Sequence, residues 1–351
     1  MEDVENFEAN WFFQMVFAAT ASTIVNGAIA ERVHMNAYLF YSLFITGFVY
    51  PVVTHWTWSG TGWLANPPPS SGLPPDVAFM DFAGSAIVHC TGGVAALIAC
   101  ILMGPRIGRF ADVNGKDKPH EIPGHSVPFT VLGGFILMLG FFAFNGGSEL
   151  KIISFDDEGR AESHGDAFAT AVMNTMISGA SGGITVLILT FVRPMFKGQT
   201  SYWSVLETIN GGLAGMVAAC AGCNNMASWA AFIMGAIAGL NYILYSILLV
   251  RLRIDDLLGA FPVHFGGGII GILLTPIFNY DGIIYYNGCN KDSNNKWIGD
   301  CNFNDPDNPV SWNTPYYQFG WNLCGLLAII VWVIFTVGPV LATFKYMNML
   351  R

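Results

Sequence analysis

The chain has 351 residues, of which 53% are hydrophobic and only 11% charged, with a mean hydropathy of +0.48. About a quarter of the residues of a soluble domain are charged, so this composition excludes a soluble globular protein and places the chain in a bilayer. The net charge of -9 offers no broad basic surface for nucleic acid, which is set aside as a partner.

Apolar runs of about 20 residues, the length that crosses a hydrocarbon core, fall near 9–30, 35–55, 79–104, 127–147, 167–192, 202–222, 228–250, 257–278 and 316–345. The expected fold is an all-α polytopic membrane protein with nine transmembrane helices in contact with lipid. The start is acidic (Glu2, Asp3, Glu5, Glu8), unlike the basic start of a cleaved signal peptide. Nine spans put the termini on opposite sides. With the amino terminus outside, the inner loops and the carboxy-terminal end hold Arg32, Arg106, Arg109, Lys116, Lys118, Arg193, Lys197, Arg251, Arg253, Lys345 and Arg351, eleven of the fifteen basic residues. The positive-inside rule then gives an extracellular amino terminus and a cytoplasmic carboxy terminus.

In chain order, the first residue of interest is Phe17, in the outer half of the first span. Trp58 closes the second span on the outer side, after which the loop 57–78 carries Pro67, Pro68, Pro69, Pro74 and Pro75 and is expected to be extended. Asp81 stands at the outer start of the third span. It can stabilise an approaching cation, cap its helix by accepting backbone N–H bonds, or do both. Eight residues on is His89, in the phrase Val88 His89 Cys90 Thr91 Gly92 Gly93. The basic inner loop 105–126 suits a lipid surface.

Phe144 and Ser148 lie one turn apart at the outer end of the fourth span. A Trp face and Phe faces attract a cation, and a hydroxyl accepts its N–H bonds. Taken singly, these residues also suit an interfacial aromatic belt and ordinary apolar packing. The pairs Gly182 Gly183 and Gly211 Gly212 fit close helix packing, and Glu207 fits a local pairing with a hydroxyl or amide. His264 lies in the eighth span, in the phrase Val263 His264 Phe265 Gly266 Gly267 Gly268.

An ionisable side chain at membrane depth is costly and points to a pathway or a proton relay. The third span runs inward and the eighth outward, so the repeated His phrase has the signature of an inverted-topology repeat, whose site lies near the midplane between the halves. Chance recurrence of a Gly-rich phrase is the competing reading. Cys90, Cys100, Cys220 and Cys324 fall in apolar spans, where a thiol behaves as a small hydrophobe. Cys289 and Cys301 share the long outer loop 279–315, where either a disulfide or two free thiols is compatible with the sequence.

The string Asp81 Phe82 Ala83 Gly84 Ser85 Ala86 Ile87 Val88 His89, with Gly92 Gly93, resembles the signature of the ammonium transporter family, the Amt/Mep/Rh superfamily. Phe13 Gln14 to Phe17 and Ala30 Glu31 Arg32 resemble that family's third span, Phe144 Asn145 Gly146 Gly147 Ser148 its sixth, and Asp255 Asp256 ahead of Val263 His264 the approach to its tenth. Trp58 and the Asp81 signature favour the Amt branch. The resemblance implies a homotrimer with a pore in each subunit and an outer cation site of Trp58 and Ser148. Asp81 would support it, Phe17 and Phe144 would form a gate, and His89 and His264 would line the pore. It also implies that the family's first two spans are missing here, leaving a first repeat of 9–126, a second of 127–278 and a final helix in 316–351. The expected role is conduction of ammonium or ammonia across the plasma membrane, by a transporter with no cofactor and no enzymatic activity. The alternatives are an ammonium sensor, or an inactive short form, that binds without net flux. A metal site of His89, His264 and Asp81 is a weaker third reading.

Overall fold

The computed structural model describes residues 7–110, 112–113, 116–117, 119–155, 159–196, 200–286, 290–291, 297–298 and 314–350. Cys289 and Cys301 lie outside the described residues. Long apolar helices dominate: α1 (Phe7–Ile29), α2 (Met35–Trp58), α3 (Ser85–Met103), α4 (Val127–Gly147), α5 (Gly165–Met195), α6 (Val205–Ala219), α7 (Ser228–Arg251), α8 (Phe261–Phe278) and α9 (Thr314–Tyr346). Each coincides with one of the expected spans. Among the described residues eight are long enough to cross a membrane, whereas α6 has 15 residues, roughly 22 Å at helical rise against a core of roughly 30 Å. The expected run to residue 222 ends instead in a turn after Ala219. Among the described residues, three two-stranded ribbons of two or three residues per strand decorate the loops.

Local chemistry sets several helix starts. Ser126 accepts from the Phe129 amide at the start of α4, and Ser204 from the Glu207 amide at the start of α6, each satisfying an amide that has no partner within its helix. The Glu207 carboxylate accepts from the Tyr242 hydroxyl of α7 at 2.8 Å, the local pairing expected of it.

Glycines let α5, α6 and α7 approach closely. A Cβ on Gly182 would stand 2.5 Å from the Gly211 carbonyl oxygen and 3.0 Å from that of Gly235, so no larger residue fits. Helix α9 fixes the loop ahead of α3. Asn322 accepts from the Met80 amide at 2.9 Å and donates to the Met80 and Ile272 carbonyls at 3.1 Å, while Gln318 pairs with both backbone groups of Ala78. That loop carries Asp81.

At the end of the bundle where α1 turns into α2, one carboxylate ties three segments together. Asp255, 2% exposed, pairs with Arg106 through bonds of 2.8 and 3.0 Å, and with Arg32 at 3.7 Å and Arg109 at 3.4 Å. Burial pushes the Asp255 carboxyl up, but the bonds and charge of Arg106 and the charge of Arg32 outweigh it, leaving the group below the ordinary carboxylate range. A depressed folded value stabilises the fold above the ordinary value of about 3.9 and loses that stabilisation as the pH falls through the folded value. The tie therefore persists through neutral pH. Asp255→Asn is expected to cost about 3–5 kcal/mol by leaving buried guanidinium groups without their carboxylate, read as a lower unfolding midpoint in detergent at pH 7, with the deficit shrinking below about pH 4.

Candidate functional site

Two segments with the same spacing build the centre of the molecule. Asp81, Gly84 and His89 stand at relative positions 0, 3 and 8, and so do Asp256, Gly259 and His264. Gly84 and Gly259 have φ of +96° and +72°, a left-handed backbone that favours glycine. The segments that begin at Asp81 and Asp256 each lead into a wide helical turn. The His89 amide bonds the Gly84 carbonyl and the Gly266 amide the Phe261 carbonyl, each five residues back. Such turns recur at functional sites because they redirect a side chain within a helix.

Asp81, 4% exposed, is a helix cap. Its Oδ1 accepts from the Gly84 and Ser85 amides at 3.0 and 2.7 Å, and its Oδ2 from those of Ala86 and Ile87 at 2.8 and 3.0 Å. Asp256 does the same for α8, accepting from Ala260 at 3.0 Å and Phe261 at 2.8 Å. The Asp81 backbone carbonyl accepts the Trp58 indole N–H at 2.8 Å. Asp81 thus holds both the start of α3 and the orientation of Trp58.

The caps bring the histidines face to face. The His89 and His264 rings are 5.2 Å apart at 12°, with their Nδ1 atoms at 3.1 Å, the distance of a shared hydrogen bond. Phe144 lies 5.5 Å from His89 and stacks on Phe17 at 4.0 Å and 10°. Trp58 meets the edge of Phe17 at 6.0 Å. The rings therefore form one file, Trp58, Phe17, Phe144, His89 and His264. The Ser148 hydroxyl donates to the Phe144 carbonyl at 2.8 Å, which commits its proton and leaves its lone pairs to accept.

Two neighbours of His89 are not among the residues expected from the sequence. Phe141 stacks on His89 at 5.5 Å and 22°; its place three residues before Phe144 on one helix face was the available signal. The Cys220 sulfur lies 3.6 Å from His89 Nε2, and no local pattern announces it. Among the described residues no group of three His, Cys, Asp or Glu side chains can hold a metal ion. The metal reading of His89, His264 and Asp81 fails on geometry, because the carboxylate is occupied by four amides and the Nδ1 atoms face one another.

The profile of the Ammonium Transporter Family matches residues 2–351. The chain belongs to this family. A Caenorhabditis elegans protein named as a putative ammonium transporter is 42% identical over 97% of this chain and 59% of its own length. Ammonium transporter 1 member 2 of Oryza sativa subsp. japonica is 36% identical over 98% of this chain and 66% of its own. This chain thus spans about three fifths to two thirds of the length of these curated relatives. Among solved structures, one titled Sensor Amt Protein aligns with a TM-score of 0.75 at 30% identity, over 97% of this chain and 72% of that one. Candida albicans Mep2 aligns at 0.70 and 25%, over 95% and 64%. The fold is that of the Amt/Mep ammonium transporters.

Asp81→Asn separates the cap from the charge. The amide nitrogen would face two backbone N–H donors that the carboxylate now accepts, so a loss of about 1–3 kcal/mol is expected, measured as a lower thermal midpoint in detergent. An unchanged midpoint would contradict the capping role.

Proposed function

We propose that the chain conducts ammonium or ammonia across a membrane through the file of rings that ends in His89 and His264. The single observation that carries this reading is the face-to-face histidine pair, reached from Trp58 through the Phe17–Phe144 stack, in a member of the ammonium transporter family. Trp58 and Ser148 bind the cation at the outer end, through the indole face and the free lone pairs of the hydroxyl. Asp81 supports that site by holding Trp58, and its buried charge favours a cation. Phe17 and Phe144 form a gate that must separate for passage.

The chemistry suits ammonium better than potassium. The two ions are alike in charge and size, but only ammonium has directional N–H donors and a removable proton. Neutral imidazoles can hydrogen-bond ammonia and relay a proton, their ordinary pKa being about 6.5. Potassium would enter the dry aromatic constriction stripped of water, at high cost. In this reading residues 9–126 and 127–278 are two inverted repeats, 279–315 lies on the extracellular side and 316–351 holds the final helix. The amino terminus is extracellular and the carboxy terminus cytoplasmic. The membrane is the plasma membrane, and the assembly is a homotrimer with one pore per subunit.

A second reading is an ammonium sensor, favoured by the likeness to the structure titled Sensor Amt Protein. Uptake of radiolabelled methylammonium separates the two, since a sensor binds without flux. For the transporter, His89→Ala and His264→Ala are each expected to cut uptake about tenfold, a barrier change of ~1.4 kcal/mol, or to admit potassium. Trp58→Leu is expected to raise the half-saturating concentration roughly threefold, the worth of an exposed cation–π contact. Unchanged uptake and selectivity in both histidine variants would refute the pore assignment.

A further inference from the structure

Cys220 lies just past the last turn of α6 and is fully buried. Its position is fixed from several sides. The Cys220 carbonyl accepts the Ala83 amide at 2.7 Å, the adjacent Ala221 carbonyl accepts the Phe82 amide at 3.0 Å, and the Ser85 hydroxyl donates to the Val217 carbonyl at 2.7 Å. The sulfur is thereby held 3.3 Å from the Met216 carbonyl oxygen and 3.6 Å from His89 Nε2.

The thiol has one proton and two neighbours to choose between. The Cys220 amide bonds the Val217 carbonyl at 3.2 Å, one residue short of its helical partner, so the Met216 carbonyl lacks that amide. Asn145 is fully buried as well. Its nitrogen donates to the Thr175 hydroxyl at 2.8 Å, and its Oδ1 has no hydrogen-bond partner. If the thiol donated to His89 Nε2, the Met216 carbonyl oxygen would stay short of a donor in a dry site, where an unpaired buried acceptor is costly, while Asn145 Oδ1 is unpaired in either arrangement. If it donates to Met216, the sulfur accepts from an Nε2–H of His89, and carbonyl, sulfur and ring nitrogen are all bonded. The second arrangement wins.

The consequence passes to the other ring. With its proton on Nε2, His89 has a bare Nδ1 that can only accept. His264 Nδ1, 3.1 Å away, must then donate. We propose that Cys220 is a positioning residue that fixes His89 in the Nε2–H tautomer and, through the shared Nδ1 contact, His264 in the Nδ1–H tautomer. The pair has a direction. Among the described residues nothing bonds His264 Nε2, the pair's one uncommitted basic nitrogen, so a proton released to the pair is taken there, at the ring farther along the file from Phe144. This rests on the pore reading above.

The test is nitrogen NMR of histidine-labelled full-length protein in lipid, with the two rings assigned from single-histidine replacements. The expected spectrum has neutral rings protonated at Nε2 in His89 and at Nδ1 in His264. Cys220→Ser, whose hydroxyl can both donate to Met216 and accept from His89, keeps this pattern. Cys220→Val removes the acceptor and gives His89 a mixture of tautomers, with maximal methylammonium uptake lowered severalfold at an unchanged half-saturating concentration. A wild-type His89 protonated at Nδ1, or an unaltered pattern in Cys220→Val, overturns the proposal. The wild-type spectrum reads the tautomers even if a variant fails to fold. Because it does so whether or not the protein carries flux, failure here is distinct from failure of the transport reading.

Discussion

The close crossing of α3 and α8 is the contact on which the rest of the site depends. It is reciprocal. Gly93, four residues after His89, faces the backbone of Phe265, where a Cβ would stand 2.7 Å from the amide nitrogen. Gly268, four residues after His264, faces the Ser85 carbonyl and the Cys90 sulfur. Any side chain at either glycine would push the helices apart, and imidazoles on helices set farther apart would not share a hydrogen bond at 3.1 Å. Close approach of backbones through small residues is the usual means of helix association in a bilayer, where no hydrophobic force drives it. Here the same contact sets the geometry of the chemistry.

Around that crossing, buried polar groups are committed to structure. Four amides at the start of α3 meet the Asp81 carboxylate, and two at the start of α8 meet Asp256. In a hydrocarbon environment each unpaired backbone group costs several kcal/mol, so these carboxylates allow helices to begin deep in the protein. In the proposed reading, what remains for a passing molecule is a narrow chemistry of aromatic faces, one hydroxyl with free lone pairs and two imidazoles. That set rewards a cation with N–H donors that can give up a proton.

Much of this was legible in the sequence because it is written in local patterns. Apolar runs located the helices, and the repeated Val-His phrase located the pair at the centre. Phe17 and Phe144 were legible singly as aromatic faces near the outer end of the path, but their pairing came only through resemblance, since a stack between α1 and α4 has no signature within either helix. The equivalence of Asp256 with Asp81 was present at matching spacing but hidden by dissimilar filling residues: Phe82 and Ala83 in one segment, Leu257 and Leu258 in the other. Asp81 as a cap was one of two open readings, because a sequence does not show where a carboxylate turns. Cys220 was not legible at all. Its contact with His89 comes from a turn that ends α6 early, and a thiol in an apolar run looks like any small hydrophobe.

Flux through the purified protein tests the central claim most directly. Proteoliposomes containing the full chain would be challenged with an inward ammonium gradient and, separately, a potassium gradient of the same size, with internal pH and membrane potential recorded. The account predicts saturable, protein-dependent entry of ammonium or ammonia and none of potassium. Comparable entry of both ions, or no protein-dependent entry of either, would contradict it.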